Sequence, residues 1–192
     1  MIIGITGSSG SGKSTICDIL KDKYDAKVID ADKIAKQLSK RGTNYVLDIV
    51  KAFGKDILDD DGELKRKKLA EIIYTDPKKR QLLNGCTFKY IKAEIKRQIK
   101  ETPKDTIIII DAPLLFESGL EKLCDKVIGV ISKKEIQLDR IVARDNIDYD
   151  EAEKRLSAQA SNEFYKQKCD VIIENNNNVE VLQEKIDKIL EK

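Results

Sequence analysis

Between Gly7 and Ser14 the chain reads GSSGSGKS, which satisfies the spacing GxxxxGK[ST] in full. Residue types in that order suit one kind of ligand, a polyphosphate. Phosphate oxygens need many N–H donors at close range, and Gly7, Gly10 and Gly12 allow backbone shapes that a side chain would block. Lys13 is placed to reach the outer phosphates, and the Ser14 hydroxyl is placed to ligate Mg²⁺. The elements that must position this loop flank it. Ile2, Ile3 and Ile5 read as a short buried strand, and Ile16, Ile19 and Leu20 recur at helical spacing. A helix opening at the loop adds its N-terminal N–H groups and its dipole to the attraction for an anion. A flexible glycine-serine turn accounts for the composition but not for the flanking strand and helix.

Further acids and bases sit at the ends of the other apolar runs. Ala26 to Ile29 predicts a strand that delivers Asp30 and Asp32, which point the same way if the segment stays extended. Ligands of open parallel sheets bind at the carboxyl ends of strands, so one of these carboxylates can serve as the base for an acceptor hydroxyl beside a γ-phosphate. The other can cap the helix that follows over Lys33 to Lys40. Thr106 to Ile110 carries four consecutive isoleucines and reads as a central strand covered on both faces. It ends at Asp111, for which two readings stand, a Walker B carboxylate that orients Mg²⁺ or its water shell, and an ordinary polar strand end. Lys126 to Ile131 is a fourth strand, and Val171 to Ile173 a last one, ending at Glu174 and the asparagines Asn175 to Asn178. That asparagine loop either cups an adenine or is a plain connector.

Ser132-Lys133-Lys134-Glu135 has capping-box spacing and predicts a helix on which Arg140 and Arg144 share a face. Two guanidiniums there suit the charge of a triphosphate in transfer, as in an arginine-bearing lid; the alternative pairs them with Asp139, Asp145 or Asp148 on the surface. Asp150-Glu151-Ala152-Glu153 repeats the capping spacing before a helix over Glu151 to Ser161. Between Arg41 and Glu101 the pattern is almost wholly helical, with Asp76-Pro77 as a helix start and Gly85 as an interruption. That stretch exceeds what a crossover needs and reads as a helical insertion suited to holding the phosphoryl acceptor. Its run Lys65-Arg66-Lys67-Lys68 reads as a solvated helix face rather than an anion site. The pattern divides one domain over 1–192 into a core (1–40, 104–131, 165–192), the insertion (about 41–103) and a lid (about 132–164).

Composition narrows the function classes. With 36 basic and 34 acidic side chains the formal net charge is +2, so nothing calls for a nucleic-acid partner. Cys17, Cys86, Cys124 and Cys169 are scattered and the chain has no histidine, which argues against a zinc site and for reduced packing thiols. No apolar run approaches the ~18 residues of a membrane span, and the apolar start lacks a basic leader, so a cytoplasmic protein without a membrane partner is expected.

Four segments taken together, TGSSGSGKST, VIDAD, DAPLLFE and QLDRIVARD, resemble the dephospho-coenzyme A kinases over essentially the whole chain. RLSAQ at Arg155 to Gln159 and DVIIEN at Asp170 to Asn175 resemble the same family. The resemblance implies an α/β P-loop kinase fold, a five-stranded parallel sheet flanked by helices, with a helical substrate-binding insertion and a lid. It implies ATP and Mg²⁺, phosphorylation of the ribose 3′-hydroxyl of dephospho-coenzyme A, and a monomer or weak homo-oligomer. Carried over by position, Asp32 is the acceptor base, and Lys13 and Arg140 are phosphate clamps. The nucleotide side comprises Ser9, Gly10, Ser11, Gly12, Lys13, Ser14, Thr15, Arg144 and Asn175. The acceptor side comprises Asp30, Leu114, Leu115 and Glu117, and Ser14 holds Mg²⁺ with Asp30 or Asp111 acting through water. One departure stands out, since the family usually carries His-Pro where this chain has Phe88-Lys89.

Three other functions compete. A kinase of another nucleoside or small alcohol would use the same loop, base and lid. A GTP-binding switch would need an NKxD-type determinant, which the chain lacks, and its only DxxG, Asp59 to Gly62, falls in a polar turn. A non-catalytic nucleotide-binding paralogue is disfavoured by the retention of Lys13, Ser14, Asp32 and Arg140.

Overall fold

Parallel strands cannot be joined by tight turns, so each apolar run of this chain returns through helix. In the computed structural model, which describes residues 1–176 and 179–190, the strands are β1 (Ile2–Thr6), β2 (Lys27–Asp30), β3 (Ile108–Asp111), β4 (Lys126–Ile131) and β5 (Val171–Glu174). They form one sheet in the order β2-β3-β1-β4-β5. β1 is paired in parallel with β3, Ile3 opposite Ile109 and Ile5 opposite Asp111, and on its other side with β4, Gly4 opposite Val127. The helices are α1 (Lys13–Tyr24), α2 (Ala31–Leu38), α3 (Asn44–Phe53), α4 (Arg66–Thr75), α5 (Pro77–Glu101), α6 (Lys134–Asp145), α7 (Tyr149–Ser157), α8 (Asn162–Lys168) and α9 (Val179–Leu190).

The described chain separates into two compact units, 1–29 with 102–192, and 30–101. The first holds the sheet core. Ile3, Ile5, Ile109 and Val130 are wholly buried with Ile16 and Leu20 of α1 and with Leu182 and Ile186 of α9. Each such side chain contributes about 1.5–3 kcal/mol when taken fully from water. α1 ends where Asp25 turns left-handed (φ 50°) and Ala26 N–H donates to Leu20 O at 3.3 Å. α6 and α7 share a smaller core of Leu138, Ile141 and Ala152. No helix among the described residues is long and apolar enough to cross a membrane, and the four cysteines are free thiols. Burial pushes the thiols of Cys124 and Cys169 up, to about 12 and about 11.

The second unit is helical, and α2, grouped with the core on sequence pattern, belongs to it. Leu38 of α2 packs against a cluster of Tyr45, Val46, Ile49, Ile57, Leu64 and Leu69, which Leu83, Cys86 and Tyr90 of α5 also join. Asp76 opens α5 as expected, its carboxylate accepting from Lys78 N and Lys79 N at 2.9 and 3.1 Å. Gly85 does not interrupt α5, which runs unbroken through it. One glycine costs a helix interior only about 1 kcal/mol, and α5 buries Ile91 and Ile95 beyond it.

Other local expectations fail for identifiable reasons. Ser132 does not cap α6; its buried hydroxyl donates to Asn175 O at 2.8 Å, and Lys133 stands at the N-cap without a side-chain bond. The next helix is capped two residues early, by Asp148, whose carboxylate accepts from Glu151 N at 2.8 Å. It stops at Ser157, because Ser161 caps a separate α8 by accepting from Phe164 N.

Asp48 of α3 accepts from Lys89 Nζ at 2.6 Å and from the Tyr90 hydroxyl at 2.7 Å. These bonds, Lys89 first, hold its carboxyl at about 2, below the usual carboxylate range. A depressed folded-state value stabilises above the unfolded carboxylate value near ~4, and that contribution is lost as pH falls toward about 2. Asp48→Asn is therefore expected to flatten the loss of thermal stability between those two pH values. Superimposable melting-temperature profiles of parent and variant would contradict this.

Candidate active site

The loop from Gly7 to Gly12 leaves the carboxyl end of β1 and enters α1 at Lys13. Lys13, Ser14 and Thr15 occupy the first turn of α1, where backbone N–H groups have no intrahelical acceptor. Gly12 caps the helix in a left-handed conformation (φ 93°), and a Cβ there would lie 1.9 Å from Asn175 Nδ2. At Gly7 the constraint is close approach, since a Cβ would lie 2.2 Å from Val130 O of β4. Gly10 lies equally tight on the backbone of Gln137 in α6. The glycines thus have two roles, letting the chain turn and letting β4, α6 and the segment after β5 close against the loop.

Cations lie on the loop's carbonyls. Lys13 Nζ donates to Gly7 O at 2.6 Å and to Ser8 O at 3.4 Å. Arg140 Nη1 donates to Gly10 O at 3.0 Å, and its Nη2 reaches Asn175 O at 3.3 Å. Arg140 is half-buried, so its charge is concentrated on the loop rather than dispersed in water. Neutral amides hold the remaining carbonyls. Asn175 Nδ2 donates to Ser11 O at 2.9 Å, and the buried Gln137 amide donates to Ser8 Oγ at 2.7 Å and to Ser9 O at 3.0 Å. Gln159 completes the set, its Oε1 accepting from Ser9 N at 2.7 Å and its Nε2 donating to Ser9 Oγ at 3.2 Å. Ser11 Oγ is wholly buried within the loop and has no hydrogen-bond partner among the described residues.

The structure therefore brings together Ser9, Gly10, Ser11, Gly12, Lys13, Arg140 and Asn175. It does not bring Arg144 to them. That guanidinium is exposed and lies bidentate on Asp145, at 2.7 and 2.9 Å, which raises the arginine and lowers the carboxyl. The surface-pair alternative describes Arg144, while its neighbour one turn back lies on the loop. Asn175 uses its amide on the Ser11 carbonyl, which makes it a loop support. Asn176 Oδ1 accepts from Lys133 N at 2.8 Å, and Asn177 and Asn178, the last two residues of the expected adenine loop, lie outside the described residues.

The other expected residues are placed as follows. Ser14 is exposed and Thr15 half-buried at the start of α1. Asp111 ends β3 half-buried and is hydrogen-bonded to the Cys17 thiol, which burial and then the Asp111 charge push up. Leu115 is wholly buried and would meet a Cβ at Gly4 at 2.9 Å, so its side chain packs the core instead of facing a ligand. Leu114 and Glu117 are exposed. Asp30 caps α2, accepting from Lys33 N at 2.8 Å, and pairs with Lys33 Nζ at 3.3 Å. Because α2 starts at Ala31, strand alternation stops at Asp30, and Asp32 lies in the first helical turn rather than on one strand face with it.

Sequence reasoning missed Gln137 and Gln159. Both fall inside segments that carried the family resemblance, which was the one available signal.

A glycine-clamped phosphate loop at the carboxyl end of the central strand of a five-stranded parallel sheet defines the P-loop kinase class. Residues 1–180 match the family model described as CoaE: Dephospho-CoA kinase. A dephospho-CoA kinase of Fusobacterium nucleatum is 46% identical over 191 residues, spanning 100% of this chain and 97% of that protein. A dephospho-CoA kinase structure from Campylobacter jejuni is 32% identical with a TM-score of 0.70, covering 99% of this chain and 95% of that one. A crystal structure from Thermus thermophilus is 26% identical with a TM-score of 0.85, covering 100% of this chain and 96% of that one. The chain belongs to the dephospho-CoA kinase family and is a phosphotransferase.

Gly12→Ala is expected to break the Asn175–Ser11 bond and to strain the loop by about 1–3 kcal/mol. ATP affinity, read by calorimetric titration, is then expected to fall about fivefold or more. Unchanged affinity would show that the loop tolerates a side chain there and is not clamped as described.

Proposed function

We propose that the protein transfers the γ-phosphoryl group of ATP to the ribose 3′-hydroxyl of dephospho-coenzyme A, giving coenzyme A and ADP. The observation that carries the proposal is the convergence of Lys13 and Arg140 on carbonyls of one glycine-clamped loop. Two cations held at such a loop suit a triphosphate, whose transfer is governed by positioning and charge stabilisation. Family membership supports the acceptor.

In this reading the N–H groups of Gly10, of Gly12 and of the first turn of α1 hold the phosphates, and Lys13 and Arg140 exchange their carbonyl partners for phosphate oxygens. Asp32 orients the acceptor hydroxyl and takes its proton. Its position in the segment VIDAD after β2 supports that role. Asp30, with a carboxylate engaged in capping, contributes through water, and Leu114 and Glu117 contribute exposed surface to the acceptor side.

The donor set at the loop suits magnesium. Among the described residues no three His, Cys, Asp or Glu side chains gather into a metal-binding group, and Mg²⁺ in kinases is held mainly by phosphates and water. Ser14, with Asp30 or Asp111 acting through water, would hold it. When bound, Mg²⁺ neutralises charge developing on the transferring phosphates. We further propose that 132–164 acts as a lid, that the helical unit holds the acceptor, and that the protein works in the cytoplasm as a monomer or weak homo-oligomer without nucleic-acid or membrane partners.

The test is ADP formation with a panel of nucleoside and small-alcohol acceptors that includes dephospho-coenzyme A, with the product analysed for a 3′-phosphate. The expected result is coenzyme A in step with ADP from dephospho-coenzyme A alone. Preferential turnover of another acceptor would overturn the proposal. Asp32→Asn is expected to retain ATP binding and lose roughly 10²–10⁴ in turnover, the range for a general base. A larger loss in Asp30→Asn than in Asp32→Asn would transfer the role to Asp30.

A further inference from the structure

Gln159 lies in the turn between α7 and α8, at a sequence separation of 150 from the loop residue that it grips. Its side chain addresses Ser9 twice, accepting from the backbone N–H at 2.7 Å and donating to the hydroxyl at 3.2 Å. The two bonds use both ends of one amide, which also fixes which end is oxygen. Because the peptide unit is planar and trans, the N–H of Ser9 and the C=O of Ser8 point in opposite directions. Tying the N–H outward to Gln159 therefore commits the Ser8 carbonyl to the other side. There it receives Ser11 N at 3.3 Å and Lys13 Nζ at 3.4 Å. The peptide that follows is fixed independently, by Gln137 Nε2 on Ser9 O at 3.0 Å.

We propose that Gln159 is a positioning residue for phosphoryl transfer, which locks the Ser8–Ser9 peptide and through it the Ser8 carbonyl, one of the two that receive the Lys13 ammonium. The inference rests on the kinase reading given above. Gln159 differs from Gln137 in being exposed, so it anchors the loop from outside without filling the core. Its bonds also tie the turn after α7 to the loop, so any movement of that turn must break both.

The test compares Gln159→Ala and Gln159→Glu with the parent. Amide hydrogen exchange at Ser9, read by NMR on the nucleotide-free protein, is expected to quicken about fivefold to tenfold in Gln159→Ala, the factor set by one net hydrogen bond. The amides of Ile3 and Ile5 should stay unchanged. Gln159→Glu keeps an acceptor for Ser9 N–H and is expected to keep its protection. Turnover in Gln159→Ala is expected to fall by a similar factor in kcat, with KM for ATP and the melting temperature within about twofold and a few degrees of the parent. Gln159→Glu is expected to retain more kcat than Gln159→Ala.

Unchanged exchange at Ser9 in Gln159→Ala would overturn the inference. So would a kcat within twofold of the parent, or a loss accompanied by faster exchange throughout β1. The exchange measurement needs no acceptor, so it stands or fails separately from the acceptor assignment.

Discussion

A phosphate loop binds an anion through those of its N–H groups that face inward, and a planar peptide makes that a question of what holds the carbonyls preceding them outward. In this chain neutral side-chain amides supply the hold at Ser9 O and Ser11 O, from Gln137 and Asn175, which sets the N–H groups of Gly10 and Gly12 the other way. Each such bond contributes only about 1 kcal/mol net. The bonds of Lys13 and Arg140 to loop carbonyls involve charge and are worth more, about 1.5–3 kcal/mol in general. The division has a functional consequence. Uncharged amides can keep the loop in shape while the two cations leave their carbonyls for phosphate oxygens.

Everything that brings those amides to the loop comes from the sheet unit. β4 presents Val130 O beneath Gly7 and leads through Ser132 into α6, which carries both Gln137 and Arg140. β5 leads directly to Asn175, whose backbone is tied to Ile131 O at 2.8 Å and to the Ser132 hydroxyl. Asn162, at the start of α8, donates to Ser132 O at 2.9 Å and holds the same corner. The buried isoleucines of β1, β3 and β4 give this arrangement a rigid base, and the tight fit of close-packed interiors explains why small residues are needed at the contacts. The helical unit has a separate core around Tyr45 and Ile49 and an ion-pair cluster at Asp48.

The sequence was most informative where spacing alone decides the outcome. The loop motif, the isoleucine strand, observed over Ile108–Asp111 rather than from Thr106, and the Asp76-Pro77 helix start are local patterns whose physics needs no distant partner. Gln137 and Gln159 were not legible because their roles depend on approach across sequence separations of 129 and 150. Ser132 misled for the same reason, since a capping spacing cannot reveal that the hydroxyl will be claimed by a carbonyl on the next strand's exit. Arg140 and Arg144 look equivalent on a helical face, and only the fold shows one on the loop and the other on Asp145. Asp30 illustrates a milder limit, because local pattern correctly offered a cap yet could not say that the helix begins at once and turns Asp32 away from strand geometry.

In the proposed function the Gly7–Thr15 loop cradles the transferring phosphate, with Lys13 as its exchangeable cation. The most direct measurement is turnover of ATP and dephospho-coenzyme A by Lys13→Ala, beside its melting temperature. A positioned cation on a transferring phosphoryl group is worth on the order of 10³ in rate. Near-complete loss of turnover is expected in a variant that melts within a few degrees of the parent. Turnover at the parent's rate in a well-folded Lys13→Ala protein would contradict it.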